Sequence, residues 1–464
     1  MTKAISTLRA ALPERNDLLA GGALLLAGLV LRFRQLGCFE FKDDQARFVL
    51  NGLCALRDGF MVFAGQPGST GIPNPAGGPV LGGVIALFGT SPFVFAAAFT
   101  LFSVLTVFGV HWVLKDVIGV PRAWTCAVLA AMSPVLVWNA SNLWGPGLLI
   151  FPVAVYLREL ALYIEGRSPS GLVRAGLAAA LGAWIFHLSA FFLFPGMIYA
   201  AIRRRPTWKD FAALVGIGAV LFGPWVYALV FQWDHATSAL TVTWSEKIGA
   251  WFWNLAATGD GLFFFEYFPR EEWPVGMIAL AGVSAALFLL PVMPGCRRLR
   301  ETGTADRLAL LLAGSIPFLY LALGLRIHPH YLMVILLPVF VLASRGYEEM
   351  PRPFARGLLA GTGVLLLGIT LFWQNKVLAG SGHWREFGPS GNYLEAIAAE
   401  LDGPTVWSLK VVAADERAKT KLDPISTLYI FDRHMQKGGV PKLLILRWDN
   451  ETGRFRHEIL PPTR

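Results

Sequence analysis

The sequence predicts an all-α polytopic membrane bundle of about eleven transmembrane helices. Of the 464 residues, 55% are hydrophobic and only 15% are charged, and the mean hydropathy is +0.53. An average soluble domain has about 25% charged residues. Long apolar runs alternate with short basic clusters, which is typical of spanning helices joined by loops. The net charge of +9 lies in those short loops, so we predict a lipid bilayer as the partner and no nucleic acid.

A spanning helix needs roughly 20 mostly apolar residues. Runs of this kind occupy 17–36, 91–114, 122–140, 146–163, 171–188, 190–202, 211–232, 274–293, 307–325, 330–345 and 356–374. The apolar stretch 77–89 is too short to span. We predict that it lies in the interface or re-enters the membrane.

Most Lys and Arg residues of the loops lie in every second loop, so they gather on one side of the membrane. The positive-inside rule therefore places the N-terminus in the cytoplasm and the C-terminus outside, and a bacterial inner membrane is the expected location. This topology puts two large loops, 37–90 and 233–273, on the outer face. It also divides the chain into a transmembrane domain, 1–375, and an outer appendage, 376–464, for which the alternating runs 406–412 and 443–448 predict a small α/β fold.

Adjacent carboxylates, Asp43 and Asp44, stand a few residues after the first predicted helix. Adjacent carboxylates disfavour each other's ionisation unless a cation neutralises them, so such a pair could provide a general base and a metal-coordinating or phosphate-coordinating group. A helix that begins at this point is the alternative, because Asp is favoured at helix N-caps and first turns.

Further motifs follow the acidic pair in a fixed order. A Gly/Pro-rich stretch at 65–79 leads into the short apolar segment and then into the turn Gly89-Thr-Ser-Pro-Phe. A basic turn and an Ala-rich helix that ends in Ser-Pro occupy 121–134, and His-Pro-His-Tyr begins at 328. This order resembles the membrane glycosyltransferases of the GT-C type. The branch with protein O-mannosyltransferases and the aminoarabinose transferase of lipid A is the most similar, over most of residues 15–375.

The resemblance implies a donor sugar on a polyprenyl phosphate and an acceptor on the outer face, which could be a protein, a lipid or a glycan. By position, Asp43 matches the family's catalytic base or acceptor-orienting group, and Asp44 takes the neighbouring acidic position. Asp43 is also the candidate ligand for a divalent cation, and no other cofactor is predicted.

Transfer from a phosphate-activated sugar also needs positive groups that stabilise the departing phosphate. The candidate substrate-binding residues near the outer face are Lys42, Arg47, Arg326, His328, His330 and Tyr331. For Arg326 the alternative is interfacial snorkelling, and for the two histidines it is an ordinary loop.

Asn139 and Asn142 stand in the next outer loop, where many relatives have a second acidic residue. An asparagine can hydrogen-bond a sugar hydroxyl, so both are candidate substrate-binding residues. An asparagine cannot act as a base. The chain could therefore use a different donor, or it could be a diverged member of the family it resembles. The aromatic loop 233–273 is expected to lie in the interface as a roof over a lipid-sugar cavity.

A lipid or glycan transporter or flippase is an alternative function. The sequence has no internal duplication, and its candidate site lies in a loop rather than at mid-membrane, which favours an enzyme. An O-antigen polymerase or ligase is another alternative, but such proteins have their large Arg- and His-rich loop later in the chain.

Overall fold

The structure is a computed structural model. It describes residues 15–36, 39, 43–67, 72–231, 244–257, 259–266, 268, 273–297, 303–322, 329–379, 408–411, 443–449 and 454–460.

The described chain is predominantly helical, and each of the eleven predicted apolar runs contains an α-helix. The α-helices are α1 Arg15–Arg34, α2 Asp43–Arg57, α3 Gly77–Ala86, α4 Pro92–Ile118, α5 Val120–Met132, α6 Pro134–Trp138, α7 Ile150–Ile164, α8 Gly171–Ile185, α9 Leu193–Arg203, α10 Trp208–Phe231, α11 Trp244–Ala257, α12 Val275–Leu289, α13 Val292–Arg297, α14 Thr304–Ala322, α15 Met333–Glu349 and α16 Arg352–Ala379. The described residues also form four 3-10 helices, at Gly145–Leu148, His187–Phe192, Asp260–Glu266 and Pro329–Leu332.

Among the described residues, five segments are long and apolar enough to cross a membrane. They are α4, α10, α12 with α13, α14, and α16 up to Leu378. A helix rises 1.5 Å per residue, so a segment of 19 residues or more reaches about 30 Å, the thickness of the hydrocarbon core. The polytopic membrane bundle is thereby supported by length and composition, while the count of eleven stays a prediction.

Several of the other runs are divided by proline or by a 3-10 turn. Helix α5 ends at Met132, and α6 begins at Pro134. The helix does not continue through Pro134 because proline lacks the N–H that would make the next helical hydrogen bond. In the same way, the 3-10 turn Gly145–Leu148 precedes α7, and the 3-10 turn His187–Phe192 precedes α9. These interruptions explain why the helices here are shorter than the apolar runs.

One end of the bundle, named here the basic face, is rich in ion pairs. Arg122 of α5 donates two hydrogen bonds to Asp306 at the start of α14 and a third to Ser344 Oγ at 3.3 Å. Arg158 and Arg174 both bind Glu159, so α7 and α8 are joined there. Pairing of Glu159 with an arginine satisfies a buried carboxylate that would otherwise be costly in an apolar bundle.

The opposite end, named here the loop face, collects the connections between helices. The 3-10 turn at Gly145–Leu148 lies against Ile185 and Phe186, the indole of Trp225 donates to the Pro73 carbonyl at 2.9 Å, and the Tyr320 hydroxyl donates to the Leu188 carbonyl at 3.1 Å. These contacts bring the first loop, the end of α8 and the end of α14 together.

Helix α3 has 10 residues and is therefore about 15 Å long. It is too short to span a membrane, which agrees with the prediction for 77–89. Its partner is α2: an added Cβ on Gly52 would lie 2.6 Å from the carbonyl carbon of Gly82. Glycine is needed at this crossing because any side chain would hold the two backbones apart.

The described residues of the C-terminal region form three strands: β3 Ser408–Val411, β4 Leu443–Asp449 and β5 Arg454–Leu460. Two more strands, β1 Ala64–Pro67 and β2 Pro73–Pro75, form a small antiparallel pair in the first loop and are not part of this sheet. Strand β4 pairs with β3 in parallel and with β5 antiparallel. Strands thus occur inside both runs for which alternation predicts them, and the wider α/β appendage remains a prediction.

Helix α16 continues to Ala379, past the predicted domain boundary at 376.

Candidate active site at the loop face

The acidic pair begins helix α2. The backbone of Asp43 and Asp44 forms the first two positions of that helix, while their side chains lie outside the described residues. Lys42, Arg326 and His328 lie outside the described residues entirely, and so does the side chain of His330. Their roles therefore stay predictions. Arg47, in the second turn of α2, is half-buried.

Contacts between α2 and α3 show where the acidic start of α2 lies. The Phe48 ring is next to Gly78, and Gly52 is next to Gly82. The step from Phe48 to Gly52 along α2 equals the step from Gly78 to Gly82 along α3. The two helices therefore run in the same direction and begin at the same end. Strand β2 immediately precedes α3, so β2 and the acidic start of α2 both lie toward the same end of this helix pair.

Asn74, at the centre of β2, holds His187. The backbone N–H of His187 donates to Asn74 Oδ1 at 3.1 Å, and His187 Nδ1 lies 2.7 Å from the same oxygen. An N–H can only donate, so this oxygen is an acceptor and Nδ1 must carry a hydrogen. The lone pair of a neutral His187 ring is therefore on Nε2. Asn74 was not predicted from the sequence, although a polar residue between two prolines is a signal of a fixed loop.

Tyr331 belongs to the same aromatic neighbourhood. Its side chain is buried, its ring centroid lies 5.6 Å from that of Phe186, and it stacks on Tyr320 at 6.4 Å. The Phe186 ring in turn lies 6.0 Å from the His187 ring. One sequence-predicted residue, Tyr331, is therefore connected to His187 of the Asn74–His187 pair through the Phe186 ring.

Asn139 and Asn142 lie in the turn after α6. The Asn139 side chain donates to the Val135 carbonyl at 2.8 Å, and Asn142 donates to Asn139 Oδ1 at 3.4 Å. Both side chains are almost fully buried, with 2% and 1% of their surface exposed. In this conformation they stabilise the turn, and their contact with a substrate stays a prediction.

The aromatic loop supplies a buried carboxyl, Asp260, to the helix break. Its Oδ1 accepts from the Ser133 hydroxyl at 2.7 Å, while its Oδ2 has no hydrogen-bond partner in the described part of the chain. Burial raises the pKa of Asp260 to about 7, against the smaller lowering effects of Ser133 and the Val135 amide. A carboxyl with this pKa can take up or release a proton near neutral pH.

Arg32 of α1 approaches the same break from the other side. It is fully buried and donates to the carbonyls of Gly28, Ala130 and Ala131 at 2.6–2.8 Å and to Ser103 Oγ at 3.0 Å. Pro134 has no N–H for the Ala130 carbonyl, so Arg32 satisfies an acceptor that the break leaves open. Arg32 was not among the residues predicted from the sequence. Its signal is an ionisable residue inside an apolar run.

The aromatic loop is less interfacial than expected. Phe264 and Phe268 are fully buried and pack against Trp138 and Trp373, with the Phe268 and Trp373 rings stacked at 4.0 Å. Helix α11 of the same loop does expose Phe252. The loop is therefore anchored in the protein core through its 3-10 helix. Among the described residues, no three His, Cys, Asp or Glu side chains cluster as a metal site.

No family model and no curated protein sequence matches the chain. Solved structures do. ArnT from Cupriavidus metallidurans in the apo state is 13% identical with a TM-score of 0.57, and the alignment covers 95% of this chain and 98% of that one. The same protein bound to undecaprenyl phosphate gives the same identity and TM-score, over 97% of this chain and 100% of that one.

An oligosaccharyltransferase from Archaeoglobus fulgidus, in complex with Zn and sulfate, is 13% identical with a TM-score of 0.49. That alignment covers 91% of this chain and 68% of the other. The likeness to ArnT extends over nearly the full length of both chains. The chain therefore has the fold of ArnT, the aminoarabinose transferase of lipid A, and the resemblance predicted from sequence order is confirmed at the level of the fold.

Proposed function

We propose that this chain is a membrane glycosyltransferase that moves a sugar from a polyprenyl-phosphate donor to an acceptor at the loop face. The observation that carries the proposal is the full-length likeness to ArnT, which was solved with undecaprenyl phosphate bound. A shared fold alone does not define an activity. The proposal is supported by the acidic start of α2, which lies toward the same end of the α2–α3 pair as β2, the strand that contains Asn74.

In the proposed reaction, Asp43 acts as the base or orienting group for the acceptor, and Asp44 assists from the adjacent position. The carboxylate must reach the acceptor's nucleophilic atom as the bond from the sugar to phosphate breaks. Lys42, Arg47, Arg326, His328 and His330 are proposed to stabilise the departing phosphate. Asp43 is also the proposed contact for a divalent cation.

The proposed topology has eleven crossing segments. The N-terminus and the basic face are in the cytoplasm, and the loop face and the C-terminal strands are outside. The membrane is proposed to be a bacterial inner membrane. The excess of Lys and Arg in the loops at the basic face supports this orientation.

The test is transfer of labelled sugar from a panel of polyprenyl-phosphate sugars by purified protein. Asp43→Asn removes the proposed base while keeping the side-chain size, and it is expected to lower the rate by 10²-fold or more, the usual contribution of a general base. Asp44→Asn should have a smaller effect.

The matched control is Asp58→Asn, because Asp58 is an exposed carboxylate at the far end of the same helix, paired with Arg57 at 2.9 Å. It should keep full activity. Full activity in Asp43→Asn would refute the site. Movement of lipid-linked sugar across vesicles without transfer would favour a flippase, and activity only with long glycan donors would favour a polymerase or ligase.

A further inference from the structure

A groove lies at the basic face, between α9 and α14, far along the bundle from the loop face. Its volume is about 860 Å³, which falls in the range of small-molecule sites. Leu310, Leu311, Gly314 and Phe318 of α14 form an apolar wall, and Arg203 and Arg307 stand at one end. An apolar groove with positive charge at one end matches the chemistry of an anionic lipid.

The length of the groove matches one leaflet. Arg307 and Phe318 are eleven positions apart on a continuous helix, which corresponds to about 16 Å of rise. This is about half of the 30 Å hydrocarbon core. A lipid with its headgroup at the arginines would place one acyl chain along the whole apolar wall.

Arg203 is held at the mouth of the groove by Tyr199. Its Nε donates to the Tyr199 hydroxyl at 3.2 Å, and its guanidinium lies 5.3 Å from the Tyr199 ring centre. Within the described residues Arg203 has no carboxylate within ion-pair distance, although several neighbouring arginines of this face do. Its terminal N–H groups are thus available to an anion from outside the chain.

The wall also contains open space and an unmet polar atom. A Cβ added at Gly314 would meet no atom within 4 Å. Ser315 Oγ, which lines the groove, is buried and has no hydrogen-bond partner in the described part of the chain. A lipid ester carbonyl is an acceptor of the kind that this hydroxyl requires.

We propose that this groove is a binding site for a phospholipid with an anionic headgroup, whose phosphate contacts Arg203 and Arg307. The site is separate from the proposed donor site, because it opens at the opposite face. Arginine suits this role because its planar fork can bind a phosphate through two hydrogen bonds at once.

The test is native mass spectrometry of the full chain, purified in detergent and titrated with dimyristoyl phosphatidylglycerol, whose acyl chains are long enough to cover the apolar wall. Phosphatidylcholine, inorganic phosphate and undecaprenyl phosphate are titrated in parallel. The wild-type protein should retain phosphatidylglycerol in preference to the other three. A Lys or Arg near a membrane surface contributes about 1 kcal/mol toward an anionic lipid, so Arg203→Gln/Arg307→Gln should weaken the binding about 30-fold.

Arg352→Gln is the charge control, since Arg352 is an exposed arginine outside the groove lining. Gly314→Phe fills the groove while leaving both arginines in place, and it should also release the lipid. Gly282→Phe is its control, because Gly282 is another helical glycine with open space around it.

Equal retention of phosphatidylcholine, or unchanged binding in the double arginine variant, would overturn the proposal in favour of unselective lipid contact. Unchanged binding in Gly314→Phe would overturn the location. Preference for undecaprenyl phosphate would overturn the choice of occupant. If the double variant fails to fold, Arg203→Gln alone and Gly314→Phe still decide.

Discussion

At the scale of single residues, polar side chains other than the acidic pair stabilise the connections between helices. Asn74 accepts two hydrogen bonds from His187 and so joins the first loop to the end of α8. Arg32 and Asp260 bind opposite sides of the interruption between α5 and α6. These residues therefore stabilise the connections between helices toward the loop face.

Asp260 is expected to make stability depend on pH. Its pKa is raised from 3.8 to about 7 by burial, so the folded protein keeps a proton that the unfolded chain releases. The stabilisation is fully present below about pH 4 and is lost as pH rises toward 7 and beyond. Three pH units correspond to about 4 kcal/mol at most.

The measurement is the melting temperature in detergent between pH 5 and pH 8. The wild type should melt at lower temperature as pH rises, and Asp260→Asn should lose most of this slope, because an amide still accepts from Ser133 but cannot ionise. Asp58→Asn should keep the wild-type slope. An equal slope in Asp260→Asn and the wild type would show that another group titrates.

At the scale of elements, the break at Ser133-Pro134 is stabilised from α1. The Ala130 carbonyl has no N–H partner at Pro134 and takes Arg32 instead. Arg32→Met should therefore destabilise the protein strongly, since hydrogen bonds to charged groups contribute about 1.5–3 kcal/mol and buried acceptors are left unpaired. Pro134→Ala supplies the missing N–H and should make the loss of Arg32 less costly.

A double-mutant cycle of Arg32→Met and Pro134→Ala measures this coupling through unfolding free energies. We expect the double variant to be more stable than the sum of the single losses by about 0.5–3 kcal/mol, the usual range for residues that share partners. Simple additivity would mean that Arg32 stabilises something other than the open carbonyls.

The close crossing of α2 and α3 is the other element-scale feature. Gly52→Ala would place a Cβ 2.6 Å from the Gly82 backbone, so the helices must separate. Because the acidic pair begins α2, we expect a loss of both thermal stability and sugar transfer. Gly22→Ala is the control, since Gly22 is a helical glycine with nothing within 4 Å of the added Cβ. Both variants are compared by melting temperature and transfer rate, and equal activity would contradict the argument.

At the scale of the whole molecule, hydropathy predicted the positions of the helices and the order of motifs predicted the fold. Neither predicted the internal contacts. By composition, the apolar run 122–140 is continuous. The contacts of Arg32 and Asp260 with this run show how the interruption at Pro134 is stabilised. Aromatic density in 233–273 indicated an interface, yet Phe264 and Phe268 are core residues because Trp138 and Trp373 lie within reach.

The orientation in the membrane is the remaining whole-molecule prediction. Eleven crossings require the two termini on opposite sides, whereas an even number would place them on the same side. Single cysteines in a cysteine-free background can report this in intact cells through an impermeant maleimide. Suitable exposed positions are Met61 at the loop face, Arg352 at the basic face and Arg456 in β5.

We expect Met61→Cys and Arg456→Cys to react in intact cells, and Arg352→Cys to react only after lysis. The reason is the concentration of Lys and Arg in the loops at the basic face, which resists translocation. The reverse pattern would invert the topology and place the acidic pair inside. Reaction of Met61→Cys without Arg456→Cys would keep the site outside and make the number of crossings even, so that one of the shorter helices does not span.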